Sequence, residues 1–542
     1  MSKKKNDYDA IIIGGGHNGL VCANYLAMEG LKVCVLERRE IVGGAAITEE
    51  FHPGFRNSVA SYTVSLLNPK VIEDLELHRH GLKIVERKVN NFWPQPNGDF
   101  LAFPVGSDKL KEEIARYSQK DAEALDRYLA DIDMAADVIR GMLLKTPPNV
   151  GGKTLTEVFK GIDMLAMLRG QNLSERDYRV MYDIFTLSVN DFLSQYFEND
   201  FVKGAFAWDG VVGNYASPHD TGTAYVLMHH AFGEVNGKKG VWGHAVGGMG
   251  SITQAMARSA QEKGVVILKN APVKEVLAEY GRVTGVLLED GTELKSDIVV
   301  SNVNPKLLFT KMISPGLLPP EFNTRMKQYK NASGTFRMNV ALDKLPQFTC
   351  LQGRGGVEHL TGGIVIGPTI DYLEKAYLSA KQKGWSNKPI IEMLIPSTLD
   401  DSLAPEGQHV ASLFCQQFDP NVDWDAHRDE VADLIIDTVD EYAPGFKQSV
   451  VGRQVLSPLD LERKLALTGG DIMHGVLNLN QMFSARPLLG YGDYRSPVKG
   501  LYMCGAGTHP GGGVTGAPGH NAAREILKDD GMKISKLLAL SL

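Results

Sequence analysis

The apolar positions of this chain come in short runs broken by glycine. Residues 10–13 (AIII) form an apolar, largely β-branched run that suits a strand buried on both faces. Residues 20–30 place Leu20, Ala23, Tyr25, Leu26 and Ala27 along an amphipathic helix that stops at Gly30. A second strand, 31–36, ends on Glu37. From about 76 to 239 the pattern becomes helix-rich, with candidate helices at 109–117, 122–143, 155–168 and 175–197, punctuated by Pro147-Pro148 and Gly151-Gly152. Near Val241 the earlier style returns. Gly247-Gly248-Met249-Gly250 leads into a helix over 251–263 that Gly250 can cap, then a strand at 265–268 and an extended stretch at 272–278. A hairpin over 279–288 turning at Asp290-Gly291 and a buried strand at 297–301 follow. Residues 330–494 mix strands and helices. A last strand at 500–504 feeds a long glycine turn and a helix from near Gly519. A nucleotide-binding unit therefore assembles from three separated segments, 1–75, 240–329 and 495–542, with 76–239 and 330–494 inserted between them as a substrate or cap unit.

The glycines supply the first chemistry. Residues 11–19 read IIIGGGHNG, so Gly14, Gly16 and Gly19 fit G-x-G-x-x-G between a strand and a helix. One glycine makes the tight turn, one lets backbone approach a pyrophosphate, and one lets the helix pack close to the strand. The helix N-terminus, at His17 and Asn18, then presents free N–H groups to the phosphates. Glu37 closes the second strand about 20 residues on, where an acidic side chain accepts from ribose hydroxyls. It favours an unphosphorylated ribose, although Arg38 and Arg39 beside it leave a 2′-phosphate open. Gly43 and Gly44 follow as a second pair, at which backbone can pass close to a cofactor. The segment LYMCGAGTHPGGGVTGAPGHNAAREI repeats the device of strand, glycine loop and helix N-terminus, another place for an anionic group.

Composition narrows the class. The 542 residues are 43% hydrophobic and 22% charged, an ordinary globular balance with room for more than one domain. A net charge of −7 points away from nucleic acid. The basic start MSKKKN lacks the apolar stretch of a secretory signal, and no run reaches the roughly 20 apolar residues of a membrane span. Cys22, Cys34, Cys350, Cys415 and Cys504 are scattered, without C-x-x-C or zinc spacing. They read as small buried hydrophobes in a reducing, cytoplasmic setting, with no metal site and no redox-active pair.

With these motifs in hand, the chain resembles the flavin-dependent phytoene desaturase family within the wider amine-oxidase-like flavoproteins. The likeness rests on 11–20, ERREIVGGAA at 37–46, GGMGSI at 247–252, PVKEVL at 272–277 and 500–523. Residues 217–250 and 469–487 are similar in particular to the branch of pyridine nucleotide-disulfide oxidoreductase domain-containing protein 2. The resemblance implies an α/β fold: a Rossmann-type FAD-binding domain, glutathione-reductase-like in an amine-oxidase-like arrangement, with an inserted α+β substrate domain. It implies FAD in the first fingerprint, Val273 against the adenine through its backbone, Ala45 and Gly505 along the cofactor, and Gly513, Val514 and Thr515 against the pyrimidine edge of the flavin. There a helix N-terminus stabilises the negative charge of reduced flavin and raises its potential. Ala45 stands where amine oxidases usually carry arginine and Ala506 where they often carry an acid, which leans toward the desaturase branch.

The implied reaction is dehydrogenation of a lipophilic, isoprenoid or polyene substrate by hydride transfer to flavin N5. The alternatives are a reduced-flavin saturase or isomerase, or a flavin-binding regulatory protein. The acceptor is expected to be oxygen or a quinone, since no further strand–GxGxxG–helix unit is present and the glycines near Gly353 lack a leading strand. Candidate catalytic residues are His474, Arg486 and His509, the last with a competing reading as a backbone-bonded loop histidine. His219, His229, His230 and Asp209 beside Trp208 are further polar groups of the inserted unit. The apolar residues 537–540 finish a packed helix or assist peripheral contact with a membrane.

Overall fold

The computed structural model describes residues 6–149, 170, 172–352 and 358–531. The helix expected at 155–168, the glycines around Gly353 and the apolar tail at 537–540 lie outside these residues. The buried runs at 10–13 and 33–36 pair in parallel, Ile11 opposite Cys34, and recruit three distant strands. The order across the sheet is Val266–Leu268, Val33–Leu36, Ala10–Ile13, Val299–Ser301 and Leu501–Met503, all parallel. A strand buried on both faces needs cover on both. Helix His17–Met28 packs against Gly250–Glu262 and Ala517–Asp529 on one side, where Leu20, Ile252 and Ile526 are fully buried. On the other side lies an antiparallel meander, Val273–Glu279, Arg282–Leu288 and Glu293–Lys295, with Leu308 and Phe309 beneath it. The fold is thus α/β around a Rossmann-type sheet.

A second sheet has seven strands in the order Val450–Leu456, Phe336–Leu342, His409–Phe418, Trp385–Leu394, Gly363–Ile366, Val89–Pro94 and Phe100–Pro104. It is antiparallel except where Gly363–Ile366 meets Val89–Pro94. Its two faces differ in character. Phe336, Met338 and Val340 join Ile435 and Val439 of helix Trp424–Tyr442 in one core. Arg337 and Asn339, on the alternate positions, are buried on the opposite face.

Several expected elements are corrected. Within 76–239, read as helical, residues 84–104 are three strands, Ile84–Glu86, Val89–Pro94 and Phe100–Pro104, the last two flanking a Pro-Asn-Gly turn. The helix expected over 175–197 breaks. Glu175–Thr186 ends at Leu187, and the Ser188 hydroxyl accepts from the Asp191 N–H to start a new helix, Val189–Leu193. Tyr280 takes φ +51° and adds a turn before the expected hairpin, so two strands become a meander of three. The helix after Met249 begins at Gly250, capped not by a glycine but by Thr48 Oγ1, which accepts from the Gly250 N–H at 3.0 Å.

All five cysteines are buried. Among the described residues no helix is long and apolar enough to cross a membrane, and no group of acidic, histidine or cysteine residues is placed to hold a metal ion.

Candidate active site

The strand Ala10–Ile13 delivers the chain to Gly14, whose φ of +95° turns it sharply. Its N–H donates to the Leu36 carbonyl at 2.8 Å. The next N–H, of Gly15, donates to Glu37 Oε2 at 2.9 Å, and Glu37 Oε1 accepts from the Arg39 N–H at 2.9 Å. The buried carboxylate is thereby fixed against the glycine turn. Helix His17–Met28 starts behind Gly16 with no side-chain cap and no acid in its first turn, although Asn18 and Gly19 are buried. First-turn N–H groups in such a place call for an anion, and a pyrophosphate supplies one. The paired glycines lie directly on this turn: the Gly43 N–H donates to the Gly15 carbonyl at 2.8 Å, and Gly44 passes over Gly16. Val273 opens its strand beside Glu37, whose carbonyl accepts from the Ala271 N–H at 2.9 Å.

Arg38 is a correction. Its guanidinium turns away from the nucleotide turn and donates to the carbonyls of Arg463 and Lys464, at 3.1 and 2.7 Å, at the end of helix Pro458–Leu465. Arg39 pairs with Glu49. The Arg38 guanidinium is therefore not aimed at a 2′-phosphate.

The last strand leads to Gly505, packed on the Asn302 carbonyl, and on to the loop at 511–516. Thr515 ties that loop down. Its N–H donates to the Gly513 carbonyl at 3.0 Å, its hydroxyl accepts from the Ala517 N–H at 3.1 Å, and its carbonyl accepts from the Asn68 N–H at 3.1 Å. The His17 ring bonds the Gly513 backbone, so the first and last glycine loops are joined side to side.

Gly513, Val514, Ala45, Ala506, His17 and His474 line one end of a cavity. Trp208, Phe414, Leu66, Ile252 and Met249 make much of the remaining wall apolar, interrupted by Asp209, Arg87, Tyr62 and Glu392. Three histidines around the glycine end carry buried ring nitrogens without partners: His17 Nε2, His474 Nδ1 and both nitrogens of His229. His229 Nε2 lies 3.9 Å from where a Cβ on Gly513 would be. Orphaned buried polar atoms are rare and expensive. Converging on a cradle of glycine backbone, they suit the polar edge of a flat heteroaromatic ring. The residues present therefore fit FAD, with the pyrophosphate at the His17–Met28 helix, the ribose at Glu37 and the flavin ring at Gly513.

The three expected catalytic residues part ways. His474 lines the cavity, and burial together with the nearby charges of Arg486 and His17 brings its imidazole down to about 4. Arg486 and His509 are corrections. Arg486 is fully buried and spends its guanidinium on main-chain carbonyls: Nε and Nη2 donate to Ala506, Nη1 to Gln481 at 3.0 Å, and Nη2 to Met473 at 2.6 Å. It clasps the loop bearing His474 to the last strand's loop and offers nothing to a substrate. His509 is also structural, because its Nε2–H donates to the Met142 carbonyl at 3.0 Å. Of the further candidates, His219 is exposed on a loop outside the cavity, and His230 is held by the Val226 carbonyl. Asp209 faces the cavity, and burial followed by the charge of Glu392 raises its carboxyl to about 7. Sequence reasoning missed Arg87, Tyr62, Arg337 and Glu392. The alternation in FRMNVAL at 336–342 was the available signal that this sheet has a polar inner face.

The model of the flavin containing amine oxidoreductase family matches residues 19–527. The chain belongs to this family. As a flavin containing amine oxidoreductase it is an FAD-dependent enzyme, and its relatives span its length. Pyridine nucleotide-disulfide oxidoreductase domain-containing protein 2 from Rattus norvegicus is 39% identical over 547 residues, 97% of this chain and 94% of its own. One of the limonene dehydrogenase subunits from Castellaniella defragrans is 26% identical over 97% of this chain and 95% of its own. The solved structure of cyclohexylamine oxidase from Brevibacterium oxydans has a TM-score of 0.59 at 17% identity, covering 97% of this chain and all of that one, a likeness of fold.

Burial lowers the imidazoles of His17, His474, His509 and His520 to about 4. In the unfolded chain they titrate near 6.5, so it takes up these protons first. Stability is therefore full above pH 6.5 and falls as pH drops toward 4, each histidine withdrawing up to about 3 kcal/mol. Thermal melts followed by circular dichroism should show Tm falling steeply from pH 6.5 to 4.5; a flat Tm over that range would refute this assignment.

Proposed function

We propose that this FAD enzyme dehydrogenates a lipophilic substrate of isoprenoid type. The observation that carries the reading is the cavity itself, which runs from the glycine cradle at Gly513 and Val514 into walls built largely of Trp208, Phe414, Leu66, Ile252 and Met249. A molecule that fills such walls is mainly apolar, and its burial excludes water from the reacting bond. FAD, when bound, supplies a hydride acceptor at flavin N5. Desaturation also releases a proton, and Asp209 is the group suited to take it. It lies in the cavity, makes no side-chain hydrogen bond among the described residues, and titrates near 7, where a base works best at neutral pH. Ala45 and Ala506 keep the glycine end free of charged side chains, in keeping with a hydrocarbon rather than an amine. The name of the limonene dehydrogenase relative, similar over 95% of its length, supports an isoprenoid substrate. Oxygen or a quinone completes the cycle as acceptor. Cytoplasmic placement with peripheral contact at a membrane, where such substrates partition, belongs to the same proposal.

The test is product analysis. Incubated aerobically with a panel of monoterpenes and longer polyenes, the holoenzyme should yield a product lighter by two hydrogens from at least one of them. Oxidation confined to amines would overturn the reading. Asp209→Asn should slow turnover about a hundred-fold while retaining flavin. It should also abolish the rise of kcat with pH through about 7 that the wild type shows as the carboxyl ionises. An unchanged pH profile in the variant would remove Asp209 from the mechanism.

A further inference from the structure

One ladder row of the seven-stranded sheet is unusually polar. Arg337 stands opposite Phe414, and Phe414 opposite Glu392, so the three side chains project from one face. Arg337 is fully buried. Its Nη2 donates to Ser412 Oγ at 2.8 Å, its Nε and Nη1 have no partner, and its guanidinium lies 4.6 Å from the centre of the Tyr62 ring. Tyr62 donates its hydroxyl proton to Glu392 Oε2 at 2.5 Å. Arg87, also buried, gives one side-chain hydrogen bond, to Thr63 Oγ1, and lies 5.7 Å from the Trp242 ring. Tyr62, Arg87 and Glu392 all line the cavity.

The charges in this cluster do not balance. Burial raises the Glu392 carboxyl while Arg87, the Tyr62 hydroxyl and Arg337 lower it, so a single carboxyl faces two guanidinium groups and offsets at most one. Asp209 senses Glu392, forms no ion pair with either arginine among the described residues, and is only partly ionised at neutral pH. Neither guanidinium forms an ion pair among the described residues. A buried, unpaired guanidinium is costly, and it persists where a ligand completes it. Guanidinium is moreover the side-chain group best matched to a carboxylate.

We propose that the Arg87 end of the cavity, with Arg337 buried behind Tyr62, binds the carboxylate of an amphipathic substrate, an unsaturated lipophilic acid whose apolar tail lies along the Trp208 and Phe414 wall. This deepens the proposed function and rests on the reading of the cavity as the substrate site.

The test is equilibrium binding to the purified holoenzyme, followed both by the shift of the flavin absorption bands and by calorimetry. Three ligands separate head from tail: geranic acid, its methyl ester, and 3-methylbut-2-enoic acid, which keeps the head and loses the tail. Geranic acid should bind at least about thirty-fold more tightly than the ester, since one partner of a buried charge pair is lost in the ester. In Arg87→Gln that preference should collapse toward unity, with Arg87→Lys restoring part of it. Arg337→Gln, acting from behind Tyr62, should lower the preference less, and the Arg87 variants carry the test if Arg337→Gln fails to fold. An ester that binds as tightly as the acid, or a preference that survives Arg87→Gln, overturns the carboxylate site while leaving a lipophilic substrate intact. Arg87-dependent binding of the short acid alone overturns the lipophilic reading and keeps the anion site. No binding by any of the three overturns both.

Discussion

Arg486→Met should abolish recovery of folded, flavin-bearing protein. The side chain is fully buried, and its donors hold the carbonyls of Met473, Gln481 and Ala506 from three directions. Methionine keeps most of the volume and none of the donors. The carbonyls lose their partners in a place water does not reach, and each loss costs about 1–3 kcal/mol. The sum is comparable with the whole stability of a typical domain, about 5–15 kcal/mol. The damage should centre on the cofactor end of the cavity, because the clasped loop also carries His474 and Gly475, which packs on the Tyr329 hydroxyl. Arg486→Lys, which keeps the charge but cannot span three carbonyls, should fold with a much lower Tm and reduced flavin content. Soluble yield, melting temperature and flavin-to-protein ratio check this. An Arg486→Met protein that folds, binds flavin and has lost only turnover would restore the catalytic role that the geometry denies it.

Gly19→Val should leave a protein without tightly bound FAD. A Cβ at position 19 would fall 2.3 Å from the Gly14 carbonyl oxygen, and both groups belong to the backbone of the nucleotide turn. Helix His17–Met28 must then move off the strand that positions it. Overpacking of this kind costs about 1–3 kcal/mol in a core, and here it also displaces the N–H groups that meet the pyrophosphate. A loss of FAD affinity of at least about a hundred-fold follows from a shift costing about 3 kcal/mol. Reconstitution of the apoprotein with FAD, read by flavin fluorescence, checks it. Affinity within a few-fold of wild type would show that the fingerprint is not the pyrophosphate seat. Gly316→Ala is the control, since a Cβ there meets nothing within 4 Å and its backbone lies outside the left-handed region.

The nucleotide end was legible in the sequence because its chemistry is made by backbone. Glycines at 14, 16, 19, 43, 44 and 513 are required by turns and close approaches, and such requirements leave residue types that spacing exposes. The three sequence segments that supply the parallel sheet were visible for a related reason: short apolar runs beside glycine loops have few other uses. The inner face of the second sheet was much less legible. Arg337 and Glu392 on that face meet Tyr62, Arg87 and Asp209 from other elements, and no local pattern links the five; only the pairing of Arg337, Phe414 and Glu392 across neighbouring strands shows part of the cluster. The errors at His509 and Arg486 share a cause. Both stand in glycine-rich stretches that suggest a site, but the bends of those stretches leave main-chain carbonyls buried, and the nearest donors are taken up in satisfying them. The strands at 84–104 were lost to a helical neighbourhood, although the Pro-Asn-Gly turn between alternating apolar runs was present.

The most direct measurement is anaerobic mixing of the holoenzyme with a lipophilic, unsaturated isoprenoid, followed by the flavin's visible absorbance, in the wild type and in Asp209→Asn. The wild type should bleach stoichiometrically, with one desaturated product per flavin, and the variant about a hundred-fold more slowly. Bleaching by amines but by no isoprenoid, or an Asp209→Asn rate equal to the wild type, would contradict the proposed dehydrogenation.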